Sequence, residues 1–217
     1  MPSQKSTRIA RQIAHAAEPA GVEPSRQRGR DRVAAILGAA TELFAEKAYD
    51  AVTMTEVAAR SGAAIGSLYR FFPTKEALGD ALLVRYGAAL GEALEAIAAA
   101  STTLPPTEIA DALVDFIHGR QRERAAALGL LDSRSDSAEL RQAIRAAMLD
   151  RIAAILAAIG GGSPGETRAG AALILQVLKT IRALGQETRS APEKAALDRE
   201  SRRLVRLYLE GVARKGP

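Results

Sequence analysis

From Asp31 onward the apolar positions repeat with the 3.6-residue period of amphipathic helices. Val33, Ile36, Leu37, Ala40, Leu43 and Phe44 predict a first helix over about 31–47, with Tyr49 and Val52 closing a small core beside it. The stretch 53–78, TMTEVAARSGAAIGSLYRFFPTKEAL, then reads as a helix-turn-helix followed at once by another helix. Thr53 and Glu56 have capping-box spacing, and Ser61-Gly62 ends the short helix, because glycine adopts a left-handed conformation at little steric cost. A second short helix, roughly 64–72, places Leu68 and Phe72 inward and leaves Ile65, Gly66, Ser67, Tyr69 and Arg70 outward. Pro73 breaks it, and Thr74 opens a long helix carrying Leu78, Leu82, Tyr86, Leu90, Leu94 and Ile97 to about Ala100.

The remaining pattern is also helical. Ser101 to Pro106 stops the long helix, and the next presents Ile109, Leu113, Phe116 and Arg120 on one face. Breakers around Gly129 to Ser137 precede a helix whose start, Asp136 with Glu139, has capping-box spacing and whose stripe runs from Leu140 through Ile144, Met148 and Ile152 to Ile159. Gly160-Gly161-Gly162 is hinge-like; it follows a helix and lacks the Lys-Ser/Thr of a phosphate-binding loop. Ser163 with Glu166, and Ser190 with Glu193, cap two final helices. The first of these is almost wholly apolar from Ala169 to Leu178, which suits either the centre of a monomer or half of a dimer interface. The second carries Leu197, Leu204, Leu207, Tyr208 and Val212. The expectation is an all-α chain: a tail over 1–30, a three-helix helix-turn-helix domain over 31–78, and a helical domain over 79–217.

The outward face of the second short helix has the form of a DNA-reading surface. Between Val57 and Lys75 there are three basic residues and no acid, although 31–80 as a whole has seven acids against five bases. The positive face is therefore narrow. Ser67, Tyr69 and Lys75 are expected on phosphates, with Thr74 and Lys75 forming a phosphate clamp at a helix N-terminus. Ile65, Gly66 and Arg70 are expected near base edges: Gly66 allows close approach, Ala64 and Ile65 can pack on thymine methyls, and Arg70 can donate to guanine. The competing reading of Tyr69 is a core aromatic.

At these residues the chain resembles the TetR family of bacterial repressors. Thr53, Val57-Ala58, Ser61-Gly62, Gly66-Ser67-Leu68-Tyr69, Phe72 and Lys75-Glu76-Ala77-Leu78 match the family pattern, and the resemblance extends back to about Asp31. It departs at Ala63-Ala64, where the family commonly has an apolar residue followed by Ser or Thr; a missing polar cap costs about 1 kcal/mol. The resemblance implies a double-stranded DNA operator contacted by Thr53 and by the outward set. It also implies a homodimer joined through the last two helices, about 165–187 and 191–213, and a C-terminal domain for ligand binding and dimerisation. A two-fold dimer would read half-sites about one helical turn apart.

For that domain the architecture suggests a small, partly apolar effector between the long helix and those that follow, with Tyr86, Phe116 and Met148 as walls. Arg120 either pairs with an effector carboxylate or snorkels to solvent.

Composition excludes more than it adds. The 217 residues contain no Cys, which rules out disulfides and thiolate metal sites and suits a reducing cytoplasm. The net charge of +5 is compatible with a polyanionic partner. Residues 1–30 carry Lys5, Arg8, Arg11, Arg26, Arg28 and Arg30 without an apolar run, reading as a solvated tail or as a basic arm beside the recognition helix, and not as a secretory signal. No stretch reads as a membrane span. Asp115 and His118, at i, i+3, form an ordinary surface pair in this reading, with no nucleophile beside them and no metal-ligand cluster elsewhere. No catalytic residue and no cofactor is expected. The alternative to a DNA-binding regulator is an all-helical interaction protein whose helix-turn-helix is only structural.

Overall fold

The computed structural model describes residues 24–133, 135, 137–160, 162–188 and 190–214. Among them the regular structure is helical throughout: α1 (Pro24–Glu46), a 3-10 turn (Tyr49–Ala51), α2 (Met54–Ser61), α3 (Ile65–Phe71), α4 (Lys75–Ala100), α5 (Pro106–His118), α6 (Gln121–Asp132), α7 (Ser137–Ile159), α8 (Pro164–Glu187) and α9 (Ala191–Ala213). The all-α expectation holds. Most of the expected tail lies outside the described residues, as does Asp136 of the expected cap.

Two boundaries differ from the sequence reading. α1 begins at Pro24, well before Asp31, and polar pairs one turn apart support its first turns: the Gln27 amide donates to Asp31 at 2.7 Å and Arg30 donates to Gln27 at 2.8 Å. The apolar stripe through Arg120 is also not one helix. α5 stops at His118, Arg120 takes a left-handed conformation (φ 53°), and α6 starts afresh at Gln121. Arg120 therefore does not continue the apolar face of α5, which corrects that expectation.

The chain forms two compact units, and they interleave along it instead of dividing at residue 78. Unit one takes the described residues up to Ala89 together with Arg120–Ile144; unit two takes Leu90–Gly119 and the residues from Arg145 onward. In unit one α6 packs on α1 and α1 on α2. Ile36, Leu43, Val57, Leu68, Leu78 and Leu83 are fully or almost fully buried there, and Ala126, Ala127, Leu130 and Leu131 of α6 complete the same core. The helix-turn-helix thus rests on a helix some sixty residues downstream, because α1, α2 and α3 alone bury too little apolar surface.

In unit two α5 packs against α8 and α9. Its core includes Ile109, Leu113, Ile152, Ile155, Leu175 and Leu209. Gly170 of α8 makes room for two side chains, since a Cβ there would lie 2.6 Å from the Tyr208 hydroxyl and 2.9 Å from a Leu156 methyl. Arg202 bridges Asp198 (3.0 Å) and Asp115 (2.6 Å), and Arg206 holds Asp111. Asp115 therefore pairs with Arg202 of α9, and the His118 Nε2 lies 4.0 Å from Asp198. The near all-round apolar character of α8 is only partly absorbed. Ile174, Leu175 and Leu178 are buried, but Leu173 is 61% exposed, and on α9 Leu204 and Leu207 are 53% and 55% exposed. No described helix is long and apolar enough to cross a membrane.

Candidate nucleic-acid interface

Local sequence fixes the ends of α2. The Thr53 hydroxyl accepts the Glu56 amide (3.2 Å) while the Glu56 carboxylate accepts the Thr53 amide (2.9 Å), completing the expected box. Lys47 adds a 2.6 Å ion pair to the same carboxylate. That bond first, then the Thr53 amide and hydroxyl, hold the Glu56 carboxyl down at about 2, against an ordinary value of 4.5. At the other end Gly62 is left-handed (φ 66°), and its amide returns to Ala58 and Ala59 carbonyls.

α3 starts from Ala64 with extended backbone and no side-chain cap, as the Ala63-Ala64 departure implied. Leu68 and Phe72 are buried, whereas Ile65 and Tyr69 are 43% and 47% exposed. Tyr69 is thus a surface residue and not a core aromatic. A Cβ on Gly66 would meet no atom within 4 Å, so this flank of the helix is open. Arg70 is exposed, lies 5.0 Å from the Phe71 ring centre, and has no acidic partner among the described residues. Ala64, Ile65, Gly66, Tyr69 and Arg70 together form one open face. Thr53 and Thr74 are exposed at neighbouring helix starts. The Thr74 hydroxyl caps α4 by accepting the Ala77 amide at 3.1 Å.

Two assigned roles meet a different geometry. The Ser67 hydroxyl is buried and has no hydrogen-bond partner among the described residues, which does not suit a contact to phosphate. The Lys75 ammonium donates to the carbonyls of Tyr49 (3.0 Å), Val52 (3.1 Å) and Asp50 (3.5 Å). All its donors are occupied, so Lys75 braces the 3-10 turn instead of offering a free phosphate clamp.

Sequence reasoning also missed how Arg60 is used. It pairs with Glu46 at 3.0 Å and Glu42 at 3.7 Å, acids supplied by α1 beyond the acid-free window. With Arg60 neutralised and Lys75 turned inward, Arg70 is the basic group of that window left on the open face.

Of the residues expected to line an effector site, Tyr86 and Arg120 belong to unit one, while Phe116 and Met148 belong to unit two. Tyr86 borders a small pocket of about 60 Å3 with Leu82, Ala126 and Ala127. Arg120 borders a more open cleft. Phe116 is buried and Met148 half-buried in their own unit. No group of three or more described His, Asp or Glu residues is placed to hold a metal ion.

Residues 36–82, α1 to the first turns of α4, match the family model for bacterial regulatory proteins of the tetR family. The chain is 38% identical over 123 residues to an HTH-type transcriptional repressor, Rv3405c, of Mycobacterium tuberculosis, a match that covers 54% of this chain and 61% of that protein. A solved Mesorhizobium loti structure described as a TetR-family transcriptional regulator superposes with a TM-score of 0.65 at 22% identity, covering 84% of this chain and 97% of that one. A SmeT–triclosan complex superposes with a TM-score of 0.57 at 18% identity, covering 82% and 91%. Those two likenesses are of fold.

Proposed function

We propose that this chain, whose residues 36–82 match the model for bacterial regulatory proteins of the tetR family, is a transcriptional repressor that binds an operator as a homodimer and is released by a small-molecule effector. The observation that carries the DNA-binding part is the face of α3. Ile65, Gly66, Tyr69 and Arg70 lie outward on a helix held from beneath by buried Leu68. In this reading Arg70 donates to a base edge, Ile65 and Ala64 meet thymine methyls, and Tyr69, Thr53 and Thr74 position the protein on phosphates. In this reading α2 and α3 of unit one read DNA, and α8 and α9 of unit two dimerise.

The dimer is supported by the apolar groups left uncovered on α8 and α9: Leu173, Leu184, Leu204 and Leu207. Pairing α8 and α9 across a two-fold axis buries them and sets two recognition helices for paired half-sites. The repressor assignment is supported by the mycobacterial relative of that description. Effector release is supported by α4, which begins beside the DNA-facing residues and continues past Tyr86. An effector acts only through a difference in affinity, so it must bind the free dimer more tightly than the operator-bound one. The fold is one in which SmeT is seen with triclosan.

Fluorescence anisotropy with a duplex from upstream of the protein's own gene, against a shuffled duplex at the same stated salt, tests the reading. Preference for the native duplex of a thousandfold or more is expected of a specific regulator. Equal binding to both supports the alternative, an interaction protein with a structural helix-turn-helix.

A further inference from the structure

Unit one contains a charged cleft that the DNA-facing surface does not use. It occupies about 510 Å3 between the middle of α1 and the start of α6, with Arg85, Arg120 and Arg122 on its walls. None of these three guanidiniums has an acidic partner among the described residues, and Arg85 is half-buried. Two carboxylates share the lining: Glu123, and Glu42, which lies 3.7 Å from Arg60. Three cations against two anions, one of them drawn to another arginine, leave the cleft positive by about one charge.

A smaller apolar space adjoins it. The pocket of about 60 Å3 walled by Leu82, Tyr86 and Ala126 shares Thr41, Arg85 and Glu123 with the cleft. Arg85 therefore stands where a charged opening meets an apolar recess. A half-buried guanidinium without a partner is unfavourable until an anion supplies one, and a carboxylate accepts its paired donors in bidentate geometry. A single net positive charge, with Glu123 close by, suits a monoanion better than a phosphate dianion.

We propose that this cleft binds a small amphipathic carboxylate, its head on Arg85 and Arg120 and its apolar end beside Tyr86. The inference names the ligand class and place for the effector-released reading and rests on that reading for its regulatory consequence, but not for the binding itself. The consequence follows from the walls. Thr41 and Glu42 belong to α1, whose Glu42 and Glu46 hold Arg60 of α2, and Arg85 belongs to α4, whose Lys75 braces the 3-10 turn. A bound carboxylate thus touches both helices that hold the helix-turn-helix in place.

The test uses the full chain, octanoate and benzoate as probes, and their uncharged amides as controls. Calorimetric titration is expected to show binding of at least one acid and neither amide, with a tenfold or greater loss in Arg85→Gln. Arg120→Gly is expected to weaken binding similarly, and it keeps the fold because glycine favours the left-handed conformation there. Arg199→Gln, on α9 and not among the residues that line the cleft, is expected to bind as the native chain does. Binding of neither acid, equal binding of an amide, or undiminished binding by Arg120→Gly overturns the site. An acid that binds and leaves DNA affinity unchanged overturns its regulatory part. A chain that binds the acid but no DNA at all counts against the proposed function and not against the site.

Discussion

The ammonium of Lys75 donates to the backbone carbonyl of Tyr49 at 3.0 Å and lies 4.4 Å from the centre of that residue's ring. It ties the start of α4 to the turn between α1 and α2, so the segments on either side of α2 and α3 are held together. Lys75→Met keeps most of the stem and removes the donors, so a loss of about 1–3 kcal/mol is expected in urea unfolding. The salt dependence of DNA binding is expected to stay the same. A logarithmic slope shallower by about 0.9 per protomer would instead identify Lys75 as a phosphate contact.

Glu56 gives the helix-turn-helix a pH dependence with a definite sign. Its folded value is about 2 against an ordinary 4.5, so its contribution is present above 4.5 and is lost as pH falls from there toward 2. In Glu56→Gln that acid-side loss should be smaller. Thermal melts of both proteins between pH 2 and pH 6 check this, and parallel Tm curves would mean that the Lys47 and Thr53 bonds are absent in solution.

The parts legible in the sequence are those set within a few residues. The Thr53–Glu56 box, the Gly62 stop, the uncapped Ala64 and the inward Leu68 all follow from local hydrogen bonding and helical period. Lys75 was not legible, because its partners lie more than twenty residues upstream and nothing in a basic residue at a helix start distinguishes a brace from a clamp. The neutralisation of Arg60 was not legible for the same reason, since Glu42 and Glu46 lie fourteen or more residues upstream. The break before α6 was hidden because a non-glycine residue takes the left-handed conformation and the apolar spacing runs on past it. The exposed apolar stripe on α8 and α9 was legible as apolar, but periodicity does not say which apolar groups a single chain covers.

Gly170 measures how tightly unit two is packed. An added methyl would meet Leu156 at 2.9 Å and the Tyr208 hydroxyl at 2.6 Å. Gly170→Ala is expected to lower stability by about 1–3 kcal/mol through overpacking, despite alanine's higher helix propensity. Equilibrium denaturation decides it, and a stabilised variant would mean that the Tyr208 and Leu156 side chains have room to shift.

Leu204 and Leu207 test the homodimer. Replacing both with Asp puts charge on the stripe proposed to meet its copy, where each buried leucine contributes roughly 1.5–3 kcal/mol. Sedimentation is expected to show the mass halve while far-UV circular dichroism stays unchanged. A double variant that remains dimeric places the interface elsewhere.

The most direct measurement of the central claim, that the open face of α3 reads DNA, is the affinity of Arg70→Gln for the operator and for a shuffled duplex at matched salt. One lost base contact costs about 1–3 kcal/mol per half-site, so operator affinity should fall at least tenfold while shuffled-duplex affinity changes much less. Operator affinity equal to that of the native chain would contradict the account.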